Sequence, residues 1–305
     1  MKKRTIFCVL MVIFLSITFS ACQHVDTLAQ AAAGAQVIDR DTANMISLSA
    51  RAFGAAAEQI TPEQEYIIGR AVAAQILSTY RIWDGDPELT AYLNLICAAI
   101  VLNSPQPKNF NGYQVAILDT NEINAFTTSG GHIFLTRGII NIAKTEDALA
   151  AVIAHEVAHN QLRHSIKSIK TNRVTQAVMV TATAGVGNVM GMNVNEMVDI
   201  FNESVGEMVH TMVNSGYSRE QEYEADIAAM YFMAVAGYQP SGLIDMLREL
   251  DRVQTTASAF SKTHPAPRQR IHFAERALER FDITDTTATR QDRFNKATKA
   301  GVTTR

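Results

Sequence analysis

The sequence of 305 residues predicts an α+β fold that is mainly α-helical with one small β-sheet. Two observations carry this. Beyond residue 60, apolar residues recur mostly at helical spacing, in runs too long for strands. Two short stretches, Tyr113–Leu118 and His132–Thr136, have the β-branched and aromatic content of strands. The chain is long enough for one large domain behind an N-terminal leader.

The leader comes first. Met1-Lys2-Lys3-Arg4 is a basic start, and Ile6 to Phe19 is almost wholly apolar and ends at Ser20-Ala21-Cys22. The run is short for a membrane span and closes on small residues, so residues 1–21 read as a secretory signal. The order resembles a bacterial lipobox, with Cys22 as a lipidated first residue, although Phe19 is unusual three positions before the cysteine. Gln23 after it favours the outer membrane. Removing the leader takes Lys2, Lys3 and Arg4 and no acidic residue, which moves the formal charge from −3 to −6. That balance argues against nucleic acid as a partner. Of the three cysteines, Cys8 goes with the leader and Cys22 is the lipid site. Cys97, in the apolar run LNLICAAIVL, reads as a buried small hydrophobe without a disulfide partner.

Residues 22–60 are rich in Ala, Gly, Gln and Asp and read as a tether. The folded part begins at Thr61-Pro62, a cap followed by proline at the first helical position. Helices are expected over Pro62–Tyr80 and Pro87–Leu102, the second stopped by Ser104-Pro105-Gln106-Pro107. Between the two predicted strands lie Asn124-Ala125-Phe126 and Ser129-Gly130-Gly131. The glycine pair permits a turn or a close backbone approach. This region is either a plain hairpin or an exposed edge at His132–Thr136 that pairs with an extended peptide.

Thr145 to His164, TEDALAAVIAHEVAHNQLRH, reads as one helix. Thr145 can cap it, and Glu146 and Asp147 suit the positive end of its dipole. Leu149, Val152, Ile153, Val157 and Leu162 give a buried face. His155 and His159 stand four residues apart on one side, with Glu156 beside them. This H-E-x-x-H arrangement offers two imidazoles to a zinc ion and a carboxylate to accept a proton from the water it activates.

After the helix, Val174–Met192 is apolar but interrupted by Thr, Gly, Gln and Asn, which fits a packed or lid-like segment better than a membrane helix. A zinc held by two histidines wants a third protein ligand. Glu222 and Asp226 are four apart on one face of a predicted helix, with Ala225 leaving room. Glu222 could bind the metal while Asp226 orients a ligand histidine. Glu220 and Glu224 fall on the other side and read as a solvated charged face. His264, before Pro265, is on spacing alone a turn residue. The segment 281–305 reads as a polar, frayed tail.

Together these features resemble the HtpX-like and CAAX prenyl protease family of zinc metallopeptidases over about Thr61 to Leu278. The residues that carry the resemblance are Asn124-Ala125-Phe126, Gly130-Gly131-His132-Ile133-Phe134, the HEVAH run with Arg163-His164, Glu222-x-x-x-Asp226, and His264-Pro265 with Arg270. The sequence departs from the membrane-embedded branches in lacking clear transmembrane patterns and in its lipobox-like start. Residues 281–305 are too few for a helical-repeat region, so the likeness is to the short periplasmic lipoprotein type. The resemblance implies a mainly α-helical, zincin-like metalloprotease domain at 61–280, its small β-sheet packed by the HExxH helix. It also implies one zinc per chain on His155, His159 and Glu222. Glu156 is then the general base, His264 is a catalytic residue near the metal, and Asp226 counts with them as the partner of a ligand.

These assignments describe an endopeptidase held by its lipid on the periplasmic side of a bacterial envelope, cleaving unfolded or misassembled envelope proteins. The developing oxyanion falls to zinc, with His264 or Arg270 as candidate helpers. The rival from another class is a non-proteolytic zinc lipoprotein acting as a periplasmic chaperone or assembly factor. Glu156 argues against it, because a structural zinc needs no base. Two His and one carboxylate also describe a non-haem iron site, but the neighbouring Glu favours zinc hydrolysis.

Overall fold

A computed structural model describes residues 61–167, 194–253, 263–264, 267–281 and 287–302. The leader and tether at 1–60 and the Val174–Met192 segment lie outside the described residues. The architecture is α+β and mostly helical, with a three-stranded sheet packed by the HEVAH helix.

Helix α1, Pro62–Thr79, starts where Thr61 and Gln64 exchange side-chain and backbone hydrogen bonds in a capping box, with Pro62 in the first turn. Helix α2, Pro87–Leu102, is capped by Asp86, which accepts from the Leu89 N–H. Cys97 on α2 is buried, as expected of a small hydrophobe.

The sheet runs β1 (Gln114–Leu118), β3 (His132–Thr136), β2 (Ala125–Thr128), with β3 parallel to β1 and antiparallel to β2. His132–Thr136 is therefore the central strand, and the exposed edge expected there does not exist. Its second neighbour, β2, is four residues long and begins with alanine, a weak strand former, so composition alone does not reveal it. The hairpin reading holds: Gly130 and Gly131 take φ of 82° and 94° in the turn between β2 and β3. The same turn meets α1, where a Cβ on Gly69 would lie 1.5 Å from the Ser129 carbonyl oxygen. The far side of β1 is partly covered by an Ile82–Leu118 bridge.

After β3 come α3, Arg137–Ile142, and α4, Glu146–Gln161. Thr145 caps α4 by accepting from the Ala148 N–H, with Glu146 and Asp147 in the first turn. Instead of one apolar face, α4 is buried nearly all round. Its alanines, Ala148, Ala150, Ala151, Ala154 and Ala158, are short enough for neighbours to close in on every side. The helix ends before the expected His164. Arg163 adopts φ 57°, and a short α5, His164–Lys167, follows.

Helix α6, Val194–His210, runs into a π-helical turn, Thr211–Ser215. Then come α7 (Arg219–Val235), α8 (Ser241–Val253), α9 (Pro267–Leu278) and α10 (Thr287–Val302). Both α7 and α8 pack on α4, and α9 packs on both of them. Helix α10 corrects the expectation of a frayed tail. Its polar sequence hides a docking face that answers the acidic start of α4. Arg293 Nε donates to Glu146 at 2.8 Å, Arg290 Nε lies 2.9 Å from Asp147, and Glu146 also accepts from the Tyr92 hydroxyl at 2.8 Å. Among the described residues, no helix is long and apolar enough to cross a membrane.

Candidate active site

Helix α4 stacks His155 and His159 one turn apart, so their Nε2 atoms face each other at 2.9 Å. Helix α7 crosses α4 and brings Glu222, in its first turn, against both rings. One carboxylate oxygen lies 3.5 Å from His155 Nε2 and the other 3.4 Å from His159 Nε2. His264 arrives from the segment before α9, with Nδ1 at 2.9 and 3.0 Å from the two Glu222 oxygens and Nε2 at 3.5 Å from the Ala125 carbonyl of β2. Its position depends on a tight backbone contact: Gly216, at φ 72°, passes so close to Thr263 that a Cβ there would sit 2.1 Å from the Thr263 oxygen.

Each of His155, His159, Glu222 and His264 can offer a donor atom within 4.8 Å of the others, and all four are buried. The chemistry of this set fits a divalent metal. Imidazole nitrogens and a carboxylate converge, as in sites that hold zinc. Burial alone would raise the Glu222 pKa, but His264 and Arg270 beside it hold it well below the usual carboxylate range. It is therefore an anion in the fold.

The outer nitrogens of the two α4 histidines also have partners. Asp226 places Oδ1 3.0 Å from His155 Nδ1, the relation the spacing of Glu222 and Asp226 anticipates. Arg270 grips Asp226 through Nε at 2.8 Å and Nη2 at 2.6 Å, and its Nη1 lies 3.0 Å from Glu222. With 2% of its surface exposed, Arg270 is a buried clamp on two carboxylates, and the oxyanion role considered for it does not fit this placement. His159 Nδ1 meets His164 Nδ1 at 2.9 Å, and His164 Nε2 lies 3.2 Å from Glu224. Glu220 is exposed as expected, but Glu224 is not a solvated charge. The turn at Arg163 folds α5 back and gives that carboxylate a buried partner.

Glu156 is buried beside the cluster and borders a small apolar cavity shared with His155, Val152, Leu243, Met246 and Leu247. Burial raises its pKa above the ordinary glutamate value. An upward shift makes a carboxylate a better proton acceptor than an ordinary glutamate. Sequence reasoning named His164 only among the residues that carry the resemblance, read Glu224 as solvated, and did not single out Tyr217. The Tyr217 ring stacks on His159 with centroids 4.3 Å apart, and its buried hydroxyl has no hydrogen-bond partner among the described residues. A second signal for His164 was chemical, since a ligand histidine needs an acceptor for its second nitrogen.

Comparison with known proteins agrees with this geometry. The chain is 30% identical over 167 residues to the mitochondrial metalloendopeptidase OMA1 of Schizosaccharomyces pombe, covering 52% of this chain and 45% of that protein. It is 27% identical over 239 residues to metalloprotease LoiP of Escherichia coli, covering 77% and 88%. It is 23% identical over 190 residues to the beta-barrel assembly-enhancing protease of Escherichia coli, covering 61% and 38%. The chain thus spans less than half of the first and third of these relatives and most of the second. The model of peptidase family M48 matches residues 87–278, from α2 through α9 and including every residue of the cluster. The chain belongs to peptidase family M48.

Proposed function

We propose that this chain is a zinc-dependent endopeptidase held by a lipid on Cys22 at the periplasmic side of a bacterial envelope, with unfolded or misassembled envelope proteins as its targets and folded proteins as poor substrates. The observation that carries this reading is a buried convergence of His155, His159 and Glu222 with the carboxylate of Glu156 beside it. His155, His159 and Glu222 hold one zinc per chain. When bound, zinc supplies a Lewis acid that acidifies a water and polarises a carbonyl. Glu156 accepts the water's proton and returns one to the leaving amine. Asp226 acts by positioning, through its contact with His155 Nδ1.

The substrate lies extended along β2, the outer strand on the side of the sheet that α4 packs, whose four residues are buried and are uncovered when a substrate pairs with them. The Thr136 N–H donates to the Asn124 carbonyl, so by antiparallel alternation the backbone groups of Ala125 and Thr127 turn away from β3. A strand pairing there passes His264 Nε2, which lies near the Ala125 carbonyl and can donate to charge developing on the substrate. Binding through backbone groups requires an extended segment, which favours unfolded chains. The name of the beta-barrel assembly-enhancing protease ties that relative to barrel assembly, which supports envelope proteins as substrates here. On this reading residues 1–21 are the leader, 22–60 the tether, and the peptidase domain starts at Thr61. A zinc lipoprotein acting only as a chaperone would have no use for Glu156.

The test is metal analysis of the purified protein together with cleavage of casein, an unfolded protein, and of a compact globular protein. Stoichiometric zinc, casein cleavage lost on chelation and restored by zinc, and slow attack on the globular protein are expected. Zinc-loaded protein that leaves casein intact would overturn the reading in favour of the chaperone.

A further inference from the structure

The two histidines of α4 are held by different devices. A ligand imidazole that offers Nε2 to a metal carries its proton on Nδ1 and needs an acceptor there. His155 has one in the Asp226 carboxylate at 3.0 Å. At His159 the atom within reach of Nδ1 is another imidazole nitrogen, His164 Nδ1, at 2.9 Å. We propose that His164 and Glu224 form a relay that positions His159 for metal binding, with His164 as the acceptor and Glu224 fixing the tautomer of His164.

The inference rests on the reading of His159 as a zinc ligand, and one assignment of protons follows from it. His159 donates from Nδ1, so His164 must accept at Nδ1 and carry its own proton on Nε2. That proton points at Glu224, whose oxygen lies 3.2 Å away. His164 is fully buried, so it cannot exchange these partners for bulk water. Two features hold the geometry. The Arg163 turn, at φ 57°, reverses the chain so that His164 faces back onto His159, with ring centroids 4.9 Å apart at 74°. Tyr217 then covers both rings, at 4.3 and 5.8 Å.

The arrangement gives α7 two holds on one histidine. Glu222 meets His159 at Nε2, and Glu224, two residues further on, reaches its Nδ1 through His164. A shift or rotation of α7 moves both. His164 and Glu224 are positioning residues, since neither enters the donor cluster.

The experiment is the zinc dissociation constant of the full-length protein, by chelator competition, beside the melting temperature of the metal-free protein. The variants are His164→Phe, His164→Asn, Glu224→Ala, Glu224→Gln and the double variant His164→Phe/Glu224→Ala. His164→Phe removes the acceptor and should weaken zinc binding about 10–100-fold, the usual effect of losing an orienting partner. His164→Asn places an amide oxygen where Nδ1 stood and should recover most of that loss. Glu224→Ala should weaken binding in the wild-type background and add nothing in the His164→Phe background, because it acts through His164. Glu224→Gln keeps an acceptor and should fall between, which leaves a test should His164→Phe fail to fold.

Equal losses in His164→Phe and His164→Asn would overturn the relay, as would a Glu224→Ala effect of the same size in both backgrounds. Unchanged zinc affinity in all variants, while His155→Ala loses zinc, would remove the relay and leave the metal centre standing. Zinc binding that survives His155→Ala would remove the metal centre itself.

Discussion

Glu222 and Asp226 sit one turn apart on α7, both fully buried, and meet the same histidine at opposite nitrogens. Their different positions predict different losses. Glu222→Ala should cost most of the zinc affinity, because it removes the one anionic donor of the cluster and leaves imidazoles alone. Asp226→Asn should keep some zinc at saturating metal and lose about 10–100-fold in affinity or rate. Glu220→Ala, on the exposed side of the helix, should match wild type within about 0.5 kcal/mol. Zinc content and casein rate, measured side by side, check all three. Arg270 belongs to the same scale. Replacing it with Met leaves two buried carboxylates without their counter-charge, which should cost about 3–5 kcal/mol in denaturant unfolding. The HEVAH residues were legible in the sequence because one turn of helix brings i and i+4 together. The partners of His159 and Asp226 were not, because 60 residues separate His164 from Glu224 and 44 separate Asp226 from Arg270. Only the turn at Arg163 that folds α5 back, the crossing of α4 and α7, and the packing of α9 on α7 bring those pairs together.

Among the elements, the helices were the easiest to foresee. Thr61-Pro62, Asp86-Pro87 and Thr145 start α1, α2 and α4 with the caps their side chains suggest. The strand order was not legible. β2 is too short and too weakly strand-forming to stand out, so the sequence left open whether β3 was an edge, and it is central. Helix α10 was hidden for a related reason: it docks through Arg290 and Arg293, and an arginine pattern reads as solvated until its acidic partners are known. Those partners are the first two residues of α4, the helix that carries the candidate metal ligands. Arg290→Met leaves Asp147 buried with the Gln239 N–H as its remaining described hydrogen bond, at 2.9 Å. Such loss of a buried counter-charge should cost about 3–5 kcal/mol. Denaturant unfolding checks it, and a midpoint unchanged from wild type would show that α10 does not brace α4.

At the scale of the whole molecule, the proposed metal site and the proposed lipid on Cys22 each predict an outcome. A ligand that binds only the folded state stabilises it in proportion to its occupancy, so removing zinc should lower the melting temperature and restoring it should reverse the change. Cys22→Ala should prevent lipidation and release the protein from membranes, as fractionation would read. Continued sedimentation with membranes would show another anchor. The central claim, that a metal centre and Glu156 together perform peptide hydrolysis, is tested most directly by Glu156→Gln. Gln cannot accept the proton, and it leaves the donors His155, His159 and Glu222 in place. The variant should hold as much zinc as wild type and lose casein cleavage by at least about 10²–10⁴-fold, the usual cost of losing a general base. Full zinc with near-normal cleavage would contradict the mechanism.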